Sequence, residues 1–93
     1  MQGTATEKVH GGKLVRVSVD YGRSINYAKI TGDFFMHPEE SITDIENCLR
    51  GIDRDAQQEH IAKKIKEVVL SNGIVLVGVT EDAIARVVKE AMK

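Results

Sequence analysis

Cysteine, proline and aromatic side chains are all scarce in this chain. A single cysteine, Cys48, among 93 residues excludes an internal disulfide and agrees with a reducing compartment. A single proline, Pro38, no low-complexity stretch and no internal repeat leave no linker that would divide the chain. Tryptophan is absent, and two tyrosines and two phenylalanines are the whole aromatic complement. No apolar run approaches the roughly 18 residues of a membrane span, and Met1 to Thr6 is too polar for a signal peptide, so the expected location is the cytoplasm. An excess of one charge sign is missing too. With 13 basic and 14 acidic residues the net charge is −1, which argues against nucleic acid or an anionic membrane as partner, since phosphate binding needs several uncompensated lysines or arginines.

What remains is 42% hydrophobic and 29% charged, the balance of a globular chain. A chain of this length is expected to form one domain, residues 1–93, that buries roughly 60 to 70% of the surface its unfolded form exposes. Charge is spread unevenly along it. Pro38 to His60 carries seven acidic and two basic residues, while the segments on either side each carry a small positive excess. A solvated helix face explains such a run; an acidic patch opposite a basic partner is the sharper reading.

Hydrophobic periodicity changes partway along the chain. Up to Phe35 apolar and polar residues alternate: Val15, Val17 and Val19 fall on one side, Arg16, Ser18 and Asp20 on the other, which predicts a sheet with one buried face. The glycines of "VHGGK" and "DYGRS" are placed for tight reversals with positive φ, giving an antiparallel meander with strands at about Thr4–Val9, Lys13–Asp20 and Ile25–Phe35. After Pro38 the period becomes helical. Ile42, Ile45, Leu49 and Ile52 make one stripe, Pro38 suits a first turn, and Gly51 suits a stop, predicting a helix of about 12 residues. A second helix is expected from Asp53 or Asp55, the latter in a capping box with Gln58, and it ends at "SNG", Ser71 to Gly73. The run "IVLVGV" fits either a buried strand or an extended connector. Thr80 then caps a last helix from Glu81 to about Met92. The resulting fold class is α+β, a three-stranded antiparallel meander packed on one face by about three helices.

Chemistry-bearing patterns are few. The chain has no phosphate-cradling GxxxxGK[ST] loop, no GxGxxG after a strand, and no HExxH or CxxC pair. His10, His37 and His60 fall on separate elements, and His37 with Glu39 falls short of the three or four ligands a metal needs. Cys48 borders the first helical stripe with Asp44 and Glu46 close by, the setting of an inert thiol rather than a reactive one. Tyr21 and Tyr27 suit a turn and a sheet surface. Binding rather than catalysis is the expected role.

The segments "GGKLVRVSV" (Gly11–Val19), "AKITGDFF" (Ala28–Phe35), "HPEESITDIENCLRGI" (His37–Ile52) and "VGVTEDAIARVVKEAM" (Val77–Met92), in this order, resemble the small C-terminal accessory domain of lipoate-protein ligases. That domain has a Gly-Lys-Leu strand, a strand ending in Gly-Asp-Phe-Phe, an acidic helix closed by Leu-x-Gly, and a final helix with a hydroxyl residue before an acidic pair. In the family a large domain binds lipoate and ATP and carries the catalytic lysine, and the small one is either fused to it or a separate polypeptide. With Met1 only a few residues before the small domain begins, the resemblance implies a separate accessory subunit that forms a heterodimer with the large catalytic subunit. It further implies no activity alone, a requirement for ATP-dependent activation of lipoate to lipoyl-AMP, only indirect dealings with lipoyl-acceptor domains, and lipoate, ATP and Mg held by the large subunit.

A meander followed by helices is also similar in outline to sulfur-acceptor and iron–sulfur scaffold proteins, for which Cys48 would be the working group. For the ligase reading, the candidate partner contacts are Gly32, Asp33, Phe35 and His37. Strict alternation puts Ala28, Ile30 and Phe34 on one face of the third strand and Thr31, Asp33 and Phe35 on the other, although Gly32 can mark a bulge that redirects the side chains after it. Two placements are therefore open: both rings inside the corner, or Phe34 inside and Phe35 outside as an anchor for the partner. Asp33 is expected either to make a local hydrogen bond or to reach across the interface.

Overall fold

A computed structural model describes residues 1–9, 11 and 13–93. His10 and Gly12, and with them part of the expected "VHGGK" reversal, lie outside the described residues. Three strands, β1 (Gln2–Lys8), β2 (Leu14–Tyr21) and β3 (Ile25–Gly32), form an antiparallel sheet in the order β1-β2-β3. The alternation seen in the sequence sets its faces. Val15, Val17, Val19 and Tyr21 of β2 and Ile25, Ala28 and Ile30 of β3 are buried, while Arg16, Tyr27 and Lys29 point to solvent. The helices α1 (Ser41–Cys48), α2 (Gln58–Ser71) and α3 (Glu81–Ala91) cover the apolar side, as the fold class requires.

The hydrogen-bond parity of the sheet is set by a few bonds. Val9 N–H donates to the Lys13 carbonyl at 2.7 Å, and Tyr21 N–H donates to the Met1 carbonyl at 2.8 Å. In an antiparallel ladder hydrogen-bonded pairs recur at every second residue, so the odd residues of β1 bond to β2. The even ones, Gln2, Thr4, Thr6 and Lys8, aim their backbone groups at the outer edge. In β3 the same reasoning starts from Asp33, whose N–H donates to the Leu14 carbonyl at 3.1 Å, and it leaves Asn26, Ala28 and Ile30 facing outward.

That second edge is partly capped by α1 and the turn after it. Glu46 Oε2 accepts from Ile30 N–H at 2.8 Å, Arg50 Nε donates to the Asn26 carbonyl at 3.1 Å, and Ile25 exchanges backbone bonds with Gly51 and Ile52. A helix running beside a strand thus supplies, through side chains, the partners that a neighbouring strand would supply.

The last helix is the most amphipathic part of the chain. Ala83, Ile84, Ala85, Val87, Val88 and Ala91 are buried, and Thr80 Oγ1 accepts from Ala83 N–H at 3.1 Å as the N-cap. Its end presses on β1. A Cβ on Gly3 would overlap the Ala91 carbonyl oxygen, so glycine is what allows strand and helix to approach this closely.

Several boundaries depart from the sequence-based expectation. The first helix is 8 residues long rather than about 12, because Pro38, Glu39 and Glu40 form a turn before it, with Ser41 N–H bonded to the Pro38 carbonyl at 3.1 Å. The second helix starts at Gln58, with no side-chain cap. Asp53 and Asp55 belong instead to a loop in which Asp53 Oδ1 accepts from Asp55 N–H, and Asp53 also bridges to Ser24. Gly22 reverses the chain without positive φ, unlike Gly11, whose φ is 86°. The third strand does not run to Phe35. It ends at Gly32, and after a two-residue break β4 (Phe35–His37) starts a separate antiparallel pair with β5 (Val75–Val77), so the "IVLVGV" run holds a short strand that is exposed on one face rather than a buried one.

Candidate functional site

The β4–β5 ribbon places apolar side chains in water. Its register pairs Phe35 with Val77, Met36 with Leu76 and His37 with Val75. Alternation turns Met36 and Leu76 inward, where Met36 is buried, and Phe35, Val75, Val77 and His37 outward. Phe35 is 66% exposed, Val77 54% and Val75 53%. Only one of the two phenylalanines packs against the core: Phe34 is half-buried there, and the placement of both rings inside the corner is overturned.

The four residues expected at a partner interface have distinct surroundings. Asp33 is held locally: its Oδ1 accepts from Leu14 N–H at 2.5 Å while its own N–H donates to the Leu14 carbonyl, so it locks the end of β3 to the start of β2. Gly32 is held by space. A Cβ there would overlap the Leu14 carbonyl oxygen and lie 2.8 Å from the Phe34 ring. These two residues therefore shape the corner from which β4 departs, and Phe35 and His37 are the two that it presents outward. Beside Phe35 an open groove of about 210 Å³ runs between the end of β3, β4 and α1, with Ile30, Met36 and Ile42 at its base and Glu39 at its rim.

Val75 and Val77 complete the outward face, and sequence reasoning missed them. The sequence carries little signal for them: every residue from Ile74 to Val77 is apolar, and only the structure shows that Ile74 and Leu76 turn inward while Val75 and Val77 are exposed.

Elsewhere the side chains suit packing rather than chemistry. Cys48, half-buried at the end of α1 against the core, has its thiol pushed up to about 11, chiefly by burial, with Lys64 lowering it and Glu67 adding to the rise. At neutral pH such a sulfur is protonated and weakly nucleophilic, which disfavours the sulfur-acceptor and iron–sulfur readings. Among the described residues no three His, Cys, Asp or Glu side chains gather as metal ligands. No helix in the described part is long and apolar enough to cross a membrane. Arg86 of α3 donates through Nε to both carboxylate oxygens of Glu7, at 2.9 and 3.0 Å, and that hydrogen bond raises its already high pKa.

No family model matches the chain. Its sequence is 37% identical over 62 residues to lipoate-protein ligase A subunit 2 of Thermoplasma acidophilum, an alignment spanning 66% of this chain and 66% of that relative. Its structure is similar to a chain from an archaeal lipoylation system, a bipartite lipoate protein ligase and its E2 lipoyl domain, also from Thermoplasma acidophilum. That superposition has a TM-score of 0.74 and 31% identity, and it covers 100% of this chain and 96% of the other. The chain thus shares its overall fold with that structure, and it belongs to the lipoate-protein ligase A subunit 2 family, the accessory half of a bipartite ligase.

Proposed function

We propose that this protein docks on a large catalytic subunit and enables that subunit to activate lipoate with ATP, forming lipoyl-AMP for transfer to acceptor-domain lysines. Lipoate, ATP and Mg would be held by the large subunit, and this chain alone would have no activity. The observation that carries the reading is the outward apolar face of the β4–β5 ribbon in a member of a bipartite ligase family. An exposed cluster of one phenylalanine and two valines on a two-stranded ribbon is costly in water and suits a surface that another protein covers. Phe35 and His37 would touch the partner directly. Gly32 and Asp33 would act by fixing the corner that aims them.

Docking of this kind changes catalysis by favouring one conformation of the partner, through contacts that exist only in that conformation. The test is lipoate- and ATP-dependent adenylate formation by the large subunit, purified alone and then titrated with this protein. Stimulation that saturates at one copy per large subunit is expected. Full activity of the large subunit without it overturns the proposal.

A further inference from the structure

We infer that the free edge of β1 is a second binding site, one that takes an extended segment of the partner protein as a fourth strand of the sheet. The inference rests on the ligase-partner reading for the identity of the partner, and on the hydrogen bonding of the sheet for the site.

The two edges of the sheet are treated differently. Along β3 the Asn26 carbonyl and the Ile30 N–H are taken by Arg50 and Glu46, and Ile25 is bonded to the turn after α1, while Ala28 between them has no such partner among the described residues. Along β1 the outward groups are those of Gln2, Thr4, Thr6 and Lys8, and no described residue bonds to them. Four successive outward positions make an unpaired ladder 7 residues long, without proline or bulge. Of the charges that can protect a sheet edge, β1 carries Lys8 only at its far end, and its inward Glu7 is paired with Arg86.

Open space lies beside this edge. Two open grooves share Arg86 as a common wall: one of about 430 Å³ lies just past the end of β1, between Val9, the segment Gly78 to Thr80 and the start of α3, and one of about 310 Å³ lies between β1 and α3. Val79 and Ala83 line the first, Ala5 and Val87 the second. A strand laid along β1 turns every second side chain towards α3. Small apolar residues suit the space beside Ala83 and the half-buried Ala5, Val87 itself being fully buried. Between them an acidic side chain meets the Arg86 guanidinium, whose Nε is bound to Glu7 while its two terminal nitrogens have no partner among the described residues. The occupant is therefore an extended segment with alternating small apolar residues and a carboxylate over Arg86, held mainly through its backbone.

The position of the site points to the same partner that covers the ribbon. Gly78 lines the first groove and comes directly after Val77, whose side chain belongs to the outward face of β4–β5. A protein seated on Phe35 and Val77 reaches the head of the groove within one residue of chain.

Amide hydrogen exchange read by NMR, with and without the large subunit, tests the inference. The expected result is a strand-specific alternation. Amides of Thr4, Thr6 and Lys8 exchange fast in the isolated protein and slow by about ten-fold or more in the complex, while those of Gly3, Ala5 and Glu7 are protected in both. Thr4→Pro removes one outward N–H and leaves the β1–β2 ladder intact, so it should weaken the complex by about ten-fold, against little change for Thr4→Ala. A complex that forms with the even-numbered amides still exchanging fast overturns the inference and leaves the ligase-partner reading standing. The same protection appearing in the isolated protein at high concentration means that a second copy occupies the edge, and it overturns the choice of partner. Failure of the wild-type chains to associate overturns the ligase-partner reading itself, and this inference with it. Should Thr4→Pro fail to fold, the exchange pattern of the unaltered protein decides alone.

Discussion

Phe35 stands directly across the ribbon from Val77, and both side chains point away from the core that their neighbours Met36 and Leu76 enter. The pair forms the centre of an apolar face whose removal should leave the domain standing. Replacing Phe35 with Ala takes away little buried area in the isolated protein and is expected to shift its thermal midpoint by less than about 2 °C. Association with the large subunit should weaken by about 2 kcal/mol, roughly thirty-fold in Kd, because buried aromatics dominate interface energy. Calorimetric titration beside a melting curve separates the two effects; a large fall in stability with unchanged Kd would return Phe35 to a structural role.

Much of this face was legible in the sequence and part of it was not. Alternation placed Val15, Val17 and Val19 inward, but for Phe34 and Phe35 it offered opposite sides only as one of two placements, because Gly32 could redirect the side chains after it. The outward partners Val75 and Val77 escaped because a short apolar run of high β-propensity reads equally as core, and its pairing with β4 is a contact across about forty residues of chain. The break after Gly32 escaped for a related reason. A glycine in a strand signals close approach, but the atoms approached, the Leu14 carbonyl and the Phe34 ring, are identified only once β2 is in register. Helix starts were misread where side chains bond within loops: Asp53 and Asp55 have the composition of a cap, yet their bonds hold the loop at Ser24 and leave α2 to begin at Gln58.

Gly32 offers a sharper test of that corner. The Cβ of Gly32→Ala would overlap a backbone carbonyl that cannot swing away, since the ladder fixes it, as well as a half-buried ring. Overpacking of this kind costs about 1 to 3 kcal/mol, which urea denaturation would register as a lower midpoint with unchanged slope. Affinity for the large subunit should fall too, because the clash displaces β4. If stability is unaltered, the close approach at Leu14 is not what holds the corner.

Cys48 tests the working-thiol alternative. Burial holds its thiol at about 11, so below that pH the folded protein keeps the sulfur protonated, and alkylation by iodoacetamide should stay slow through about pH 9. In urea the same thiol titrates near the ordinary cysteine value and should react far faster at about pH 8. Rapid labelling of the folded protein at neutral pH would restore a chemical role for Cys48.

Thr80 reports on the helix that closes the core. Its hydroxyl satisfies Ala83 N–H, one of the orphan donors at the start of α3, and Thr80→Ala leaves that donor to water. A loss of about 1 kcal/mol is expected, with Thr80→Ser close to wild type, both read by chemical denaturation.

Glu46 is the most informative position for the sheet itself, because it takes the place of a missing strand. Its carboxylate accepts from Ile30 N–H in a partly buried setting, and Arg50 one turn later covers the Asn26 carbonyl. Glu46→Ala strips the acceptor and leaves a backbone donor with no partner at the boundary of the core, a change expected to destabilise the domain by about 1 to 3 kcal/mol. Glu46→Gln keeps an acceptor oxygen at the same reach and should recover most of the loss. The Ile30 amide supplies the local readout: its hydrogen exchange should speed up in Glu46→Ala well beyond the change at Val17 on the neighbouring strand. Uniform acceleration across the sheet would mean that Glu46 stabilises the fold generally and that the β3 edge is kept from solvent by some other contact of α1.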